Sequence, residues 1–159
     1  MSALSVKQRC TMTKLISGNP SVVERQSQVA ADTELMLLNC ATAIESRDFE
    51  RAKKLVDTTA RMVGKLEQFK RNRRGQPLED LREVIMYYSA WQIASAGRLE
   101  ITKGDYVSKV GFDLLEEANR MASELSRKHK GTPKYAKLRR RIKAWKLAAQ
   151  QHRVEPAGV

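Results

Sequence analysis

Apolar residues return every three to four positions along most of this chain, and turn residues break that rhythm at intervals. Asn19-Pro20 reads as a helix start, because Asn caps orphan amides and Pro loses nothing at the first helical position. Val22, Val29, Leu37, Cys40, Ala41 and Ile44 then follow at helical spacing, which predicts one long or two joined helices reaching about Ser46. Asp48 is the next N-cap, and Ala52, Leu55, Val56, Thr59, Val63 and Leu66 form a second stripe that ends in the polar stretch 70–75. Gln76-Pro77 punctuates the chain. Leu81, Val84, Ile85, Tyr88, Trp91 and Ala94 open a third helix extending to about Thr102.

Lys103-Gly104-Asp105 supplies a terminating glycine and a fresh N-cap, followed by the cleanest stripe of all: Val107, Val110, Leu114, Ala118, Met121 and Leu125. Thr132-Pro133 starts a last helix with Tyr135, Leu138, Ile142, Trp145 and Ala149 on one face. Residues 154–159, which include Pro156 and Gly158, should fray. No segment alternates strictly between apolar and polar residues. The expectation is therefore an all-α single domain, a bundle of stacked antiparallel helical hairpins with five to six helices and no sheet.

Two of the predicted turns look alike. Ser46-Arg47-Asp48-Phe49-x-x-Ala52 and Lys103-Gly104-Asp105-Tyr106 each pair an Asp with a following aromatic residue, and together they resemble the turn between the two helices of a tetratricopeptide repeat. Gly97 stands where that family often has a glycine in its first helix, and Ala52 matches the alanine after the turn. The pattern departs from the family at Lys109, where alanine is expected, and the two turns lie 57 residues apart instead of 34. Leu37-Leu38-Asn39-Cys40-Ala41-x-Ala43-Ile44 is also similar to the opening helix of plant GRAS domains, over fewer than twenty residues. These resemblances imply helical-hairpin geometry and carry no function.

Charge changes the picture more than composition does. The 159-residue chain has a net charge of +12, and its segment from Arg127 to Arg153 holds eleven Lys or Arg residues and no Asp or Glu. The rest, with 19 basic and 18 acidic residues, is close to neutral. This divides the chain into a near-neutral helical bundle over 1–126 and a basic C-terminal helix over 127–153, packed on the bundle or extending from it. Eleven like charges repel one another, and an anionic partner removes that cost.

The residues expected to contact backbone phosphates are Arg127, Lys128, Lys130, Lys134, Lys137, Arg139, Arg140, Arg141, Lys143 and Lys146. A second group, Lys70, Arg71, Arg73 and Arg74 with Lys65 nearby, closes the second helix and could join the same footprint. Tyr135 and Trp145 are core residues first and base-stacking candidates second. The partner expected is RNA or DNA, read without sequence preference. An acidic protein segment, an anionic membrane and homo-oligomerisation remain alternatives.

Catalytic equipment is hard to find. His129 and His152 lie among positive charges and form no metal-spaced pair with Cys10 or Cys40. Glu79-Asp80 reads as a helix-start complement to the macrodipole, and Glu116-Glu117 as a solvated face. No phosphate-binding Gly loop or nucleophile elbow is present. The expectation is a non-enzymatic protein with no cofactor and no metal. Two cysteines and the absence of a leader or membrane-spanning run point to an intracellular, soluble location.

Overall fold

The computed structural model describes residues 20–72 and 78–154, with side chains over 24–71 and 81–152. Among these residues there are five helices and no strand: α1 (Pro20–Glu45), α2 (Phe49–Asn72), α3 (Leu78–Lys103), α4 (Lys109–Lys128) and α5 (Pro133–Val154). The fold is an all-α bundle. Asn19, the residues 73–77 and the tail 155–159 lie outside the described residues, and Val154, expected to fray, closes α5.

Helix α3 is the centre of the bundle, in contact with all four other helices, so α1, α2 and α3 form one three-helix layer and α3, α4 and α5 another. That position explains its sequence. Leu81, Ile85, Tyr88, Trp91 and Ala94 are buried as the periodicity predicts, but so are Tyr87, Ala90, Leu99 and Ile101 on other faces. A helix with neighbours on most sides has no single apolar stripe to read.

The turns show how the hairpins close. After α1, Asp48 N–H donates to the Ala43 carbonyl at 2.9 Å and Arg47 N–H to that of Ile44 at 3.0 Å, with Arg47 left-handed at φ 59°. This is a Schellman ending with arginine at the position glycine usually takes. Asp48 then caps α2, its Oδ1 accepting from Arg51 N–H at 3.2 Å. After α3, Tyr106 N–H donates to the Ile101 carbonyl at 2.7 Å. Here Asp105 is left-handed at φ 53° and does not cap the next helix, contrary to the sequence reading. Ser108 does so instead, its hydroxyl accepting from Gly111 N–H at 3.1 Å.

Helix α4 is also rotated from the expected face. Its buried residues are Gly111, Leu115, Ala118, Ala122 and Leu125, whereas Val107 and Val110 are 67% and 63% exposed and Leu114 and Met121 are half-buried. Small residues set this face. A Cβ on Gly97 would meet the Gly111 carbonyl oxygen at 2.8 Å, and one on Gly111 would meet that of Gly97 at 2.9 Å. The backbones of α3 and α4 touch at this glycine pair, which draws the small side of α4 inward and leaves the valines outside.

Helix α5 is part of the core and not an appendage to it. Tyr135, Leu138, Ile142 and Ala149 are at most 3% exposed and belong to the same apolar cluster as Leu37, Leu66, Trp91 and Leu115. The boundary expected at residue 127 therefore falls inside one packed unit, because Arg127 and Lys128 end α4 and the basic run continues through a turn into α5.

Candidate nucleic-acid interface

The basic segment is anchored where α5 begins. Tyr135 Oη donates to Glu83 on α3 at 3.1 Å, and His129 Nδ1 lies 3.2 Å from the same carboxylate. The Tyr135 ring packs against Tyr87 at 5.5 Å and His129 at 5.8 Å. These contacts hold the start of α5 beside the end of α4. Between the two helices lies a groove of about 780 Å3 lined by Arg120, Ser123, Glu124, Ser126, Arg127, Lys130 and Arg139.

Four cations face one carboxylate in this groove, and that carboxylate is already engaged. Lys128 Nζ donates to Glu124 at 2.8 Å, and Arg120 is 4.0 Å from its other oxygen. The Lys128 hydrogen bond, then its charge, holds the Glu124 carboxyl below the usual carboxylate range, with Arg120 and Arg127 adding to the effect. Arg139 Nε is buried with no acceptor in reach among the described residues, although a guanidinium has five donors to satisfy. Ser123 and Ser126 add hydroxyls to the same lining. The arrangement offers charge-assisted donors from two helices to an anion with several acceptor oxygens.

The other expected site residues divide by surface. Arg139, Arg140 and Arg141, read from the sequence as one patch on a solvated face, point three ways. Arg139 enters the groove, Arg140 is exposed, and Arg141 lies over the Trp91 ring at 5.8 Å. Lys134 sits over the rings of Tyr87 and Tyr135 at 4.9 and 5.5 Å. Lys146 donates to Glu116 at 2.8 Å with its side chain only 20% exposed. Lys137 and Lys143 are exposed beside Arg140 on the outer face of α5. At the end of α2, Lys70 is half-buried and Arg71 exposed, while Arg73 and Arg74 lie outside the described residues.

Arg120, Ser123 and Ser126 were not singled out from the sequence, since they belong to the near-neutral body. The signal for Arg120 and Ser123 was spacing, since with Arg127 they recur on one face of a helix, and Ser126 carried none.

The remaining candidates are structural. Cys40 is fully buried, its Sγ 3.7 Å from the Ala52 carbonyl, and burial pushes its thiol up to about 11. His129 is held by Glu83 near the start of α3, whereas Cys40 clusters with Leu99 near its end, so the two form no pair. Glu116 is bound by Lys146 and Glu117 by Arg120 at 2.6 Å. Side chains of Glu79 and Asp80, and Cys10 entirely, lie outside the described residues. Among those described, no cluster of three His, Cys, Asp or Glu residues is arranged to hold a metal. No helix there is long and apolar enough to cross a membrane.

No protein family's sequence profile matches the chain, and neither a curated protein nor a solved structure matches it. Function has to be argued from the groove.

Proposed function

We propose that this is a non-enzymatic nucleic-acid-binding protein that seats a phosphate backbone in the α4–α5 groove and on the adjoining outer face of α5. The observation that carries the reading is the groove itself: Arg127, Lys130 and Arg139, none in an ion pair among the described residues, converge with Arg120, which Glu117 holds, on one cavity whose only described carboxylate is already paired with Lys128. Folding alone does not call for such convergence, because unpaired cations repel and lower stability. A polyanion with regularly spaced acceptors offsets that repulsion and gains counterion release.

Recognition would be of backbone and not of bases. Tyr135, the aromatic that opens α5, is 3% exposed and gives no platform for stacking. Membrane capture of α5 is disfavoured for a related reason, since Tyr135, Leu138 and Ile142 would have to leave the core to meet lipid.

The test is fluorescence anisotropy of labelled single- and double-stranded RNA and DNA over a salt series, with heparin and a polyglutamate peptide as controls. The expected result is binding to unrelated sequences that weakens linearly in log K against log salt. Polyglutamate binding as tightly as nucleic acid at equal charge would replace this reading with docking of an acidic protein segment. Absence of binding at low salt would remove it altogether.

A further inference from the structure

The opposite end of α5 closes a second cavity. It has a volume of about 310 Å3 and lies where the ends of α1, α3 and α5 meet the start of α4. Its lining differs in kind from that of the basic groove. The floor is apolar and buried, made by Ile44, Ile101, Leu115 and Ala149, none more than 2% exposed. Two walls are aromatic. Trp145 forms one, and Tyr106, stacked on His152 at 3.9 Å with 14° between the planes, forms the other.

The rim carries two arginines and one glutamate. Arg98 lies 4.9 Å over the Trp145 ring with its side chain 20% exposed, and one of its nitrogens is 3.5 Å from Glu45. That long contact uses a single guanidinium N–H and leaves the others for an incoming acceptor. Arg47, its guanidinium 5.1 Å from the centre of the Phe49 ring, adds a second positive charge that forms no ion pair among the described residues.

The backbone supplies an independent observation. Among the described residues, three that are not glycine are left-handed: Arg47, Asp105 and Tyr106. Arg47 and Asp105 each end a helix in that conformation, which is an ordinary use of it. Tyr106, at φ 65°, comes after the helix has ended, and a bulky aromatic residue there is a genuine outlier. What the conformation accompanies is the placement of its ring against His152 at the cavity wall. Strained backbone held by its surroundings is characteristic of ligand sites.

We infer that this cavity binds a small aromatic carboxylate, with the ring between Trp145 and Tyr106 and the acid group at the Arg98 guanidinium. The volume stands at the small end of ligand cavities and suits one or two fused rings. A neutral or cationic ligand would leave the excess positive rim unanswered. His152 and Arg139 are 13 residues apart on α5, about 20 Å along the helix axis, so this site is separate from the groove and does not depend on nucleic-acid binding.

The probe is 2-naphthoate, titrated into the full chain and followed by 1H–15N correlation spectra, with 2-naphthylmethanol as its uncharged counterpart. Saturable shifts are expected at Arg98, Thr102, Tyr106 and Ala148 and at the Trp145 indole, with the alcohol binding about 10-fold more weakly. R98Q should abolish the preference for the acid. Because Arg98 also packs on Trp145, a second variant guards against misfolding: A148F narrows the mouth from an exposed position and should weaken naphthoate about 10-fold without changing the thermal midpoint. No saturation up to about 10 mM acid would overturn the inference, as would equal affinity for acid and alcohol or undiminished binding to A148F. Shifts spread over the basic groove instead would mean general attraction to cations, and would overturn it equally.

Discussion

Helices α2 and α5 are both rich in lysine and arginine, and they keep their charges in different ways. In α2 the cations are interleaved with Glu50, Asp57 and Glu67, and Lys54 reaches Glu50 one turn away at 3.7 Å on an exposed surface. Helix α5 has no acidic residue of its own, so three of its cations borrow partners from elsewhere: Lys134 the Tyr87 ring, Arg141 the Trp91 ring, Lys146 the Glu116 carboxylate. Its outer cations Lys137, Arg140 and Lys143 have no ion-pair or ring partner among the described residues. A helix that mixes signs is self-sufficient at its surface. One that does not is either tied to its neighbours or left with charge for a partner, and α5 is both on different faces.

The largest effect expected from that contrast concerns the inner face of α5. Ile142 is fully buried, and I142A should cost about 2–5 kcal/mol in urea melts, as a comparable truncation at the buried Leu66 of α2 should. A loss below about 0.5 kcal/mol for I142A alone would mean that α5 is only loosely docked. In α4, L115A should cost more than L114A, because Leu115 is 1% exposed and Leu114 half-buried. Next in size is G97A. Its new methyl would press on the Gly111 carbonyl at the α3–α4 crossing and should cost about 1–3 kcal/mol, separating the helices that carry the groove from the centre of the bundle.

Smaller effects distinguish borrowed partners from local ones. R141Q removes the contact with Trp91 and should cost about 0.5–1 kcal/mol, whereas K54Q, which breaks an exposed pair within α2, should cost about 0.5 kcal/mol or less. Equal losses would erase the contrast between the two helices. Solution pH acts on the same contacts. Lys146, Arg120 and Lys128 hold Glu116, Glu117 and Glu124 below the usual carboxylate range. Groups with a depressed folded pKa stabilise the fold above their unfolded value and lose that contribution as pH falls through the folded one. The thermal midpoint should therefore decline slightly as pH drops below about 4.3, and less so in an E116Q variant. At the alkaline end the sign reverses. The Cys40 thiol, raised from 9.0 to about 11, favours the folded state below its unfolded value and ceases to as pH rises through the folded one. In a C10S background a thiol reagent should find Cys40 inert at pH 8 until the chain unfolds.

Most of the fold was legible because amphipathic helices with clear turns declare themselves. What escaped the periodicity has physical causes. The central helix α3 keeps only a narrow outer stripe, from Arg82 through Ser89 and Ile93 to Lys103, so a single apolar stripe understated its burial. The face of α4 was misread because large apolar residues such as Val107 and Val110 outweighed the glycine and alanines that make the contact. Asp105 looked like a cap, and only the backbone shows it ending the preceding helix. The site was legible as a charge excess and not as a surface. A linear run does not say which cations a helix turns inward, and Arg139, Arg140 and Arg141 are adjacent in sequence yet belong to three environments. Arg120, which completes the groove, carried no signal beyond its helical spacing from Arg127.

The division of the arginines also dictates which of them to change. Changing Arg139, Arg140 and Arg141 together would mix loss of binding with loss of packing, because Arg139 and Arg141 are half-buried. Arg127, Lys130 and Arg140 are exposed, and their joint change to Gln should leave stability within about 0.5 kcal/mol. The decisive measurement is the slope of log K against log salt for a labelled RNA or DNA of arbitrary sequence, compared between the native chain and R127Q/K130Q/R140Q. If these cations hold backbone phosphates, the slope becomes shallower by about two to three units and affinity falls alike for unrelated sequences. An unchanged slope with unchanged affinity would contradict the account and leave the basic end of this protein without a phosphate-binding role.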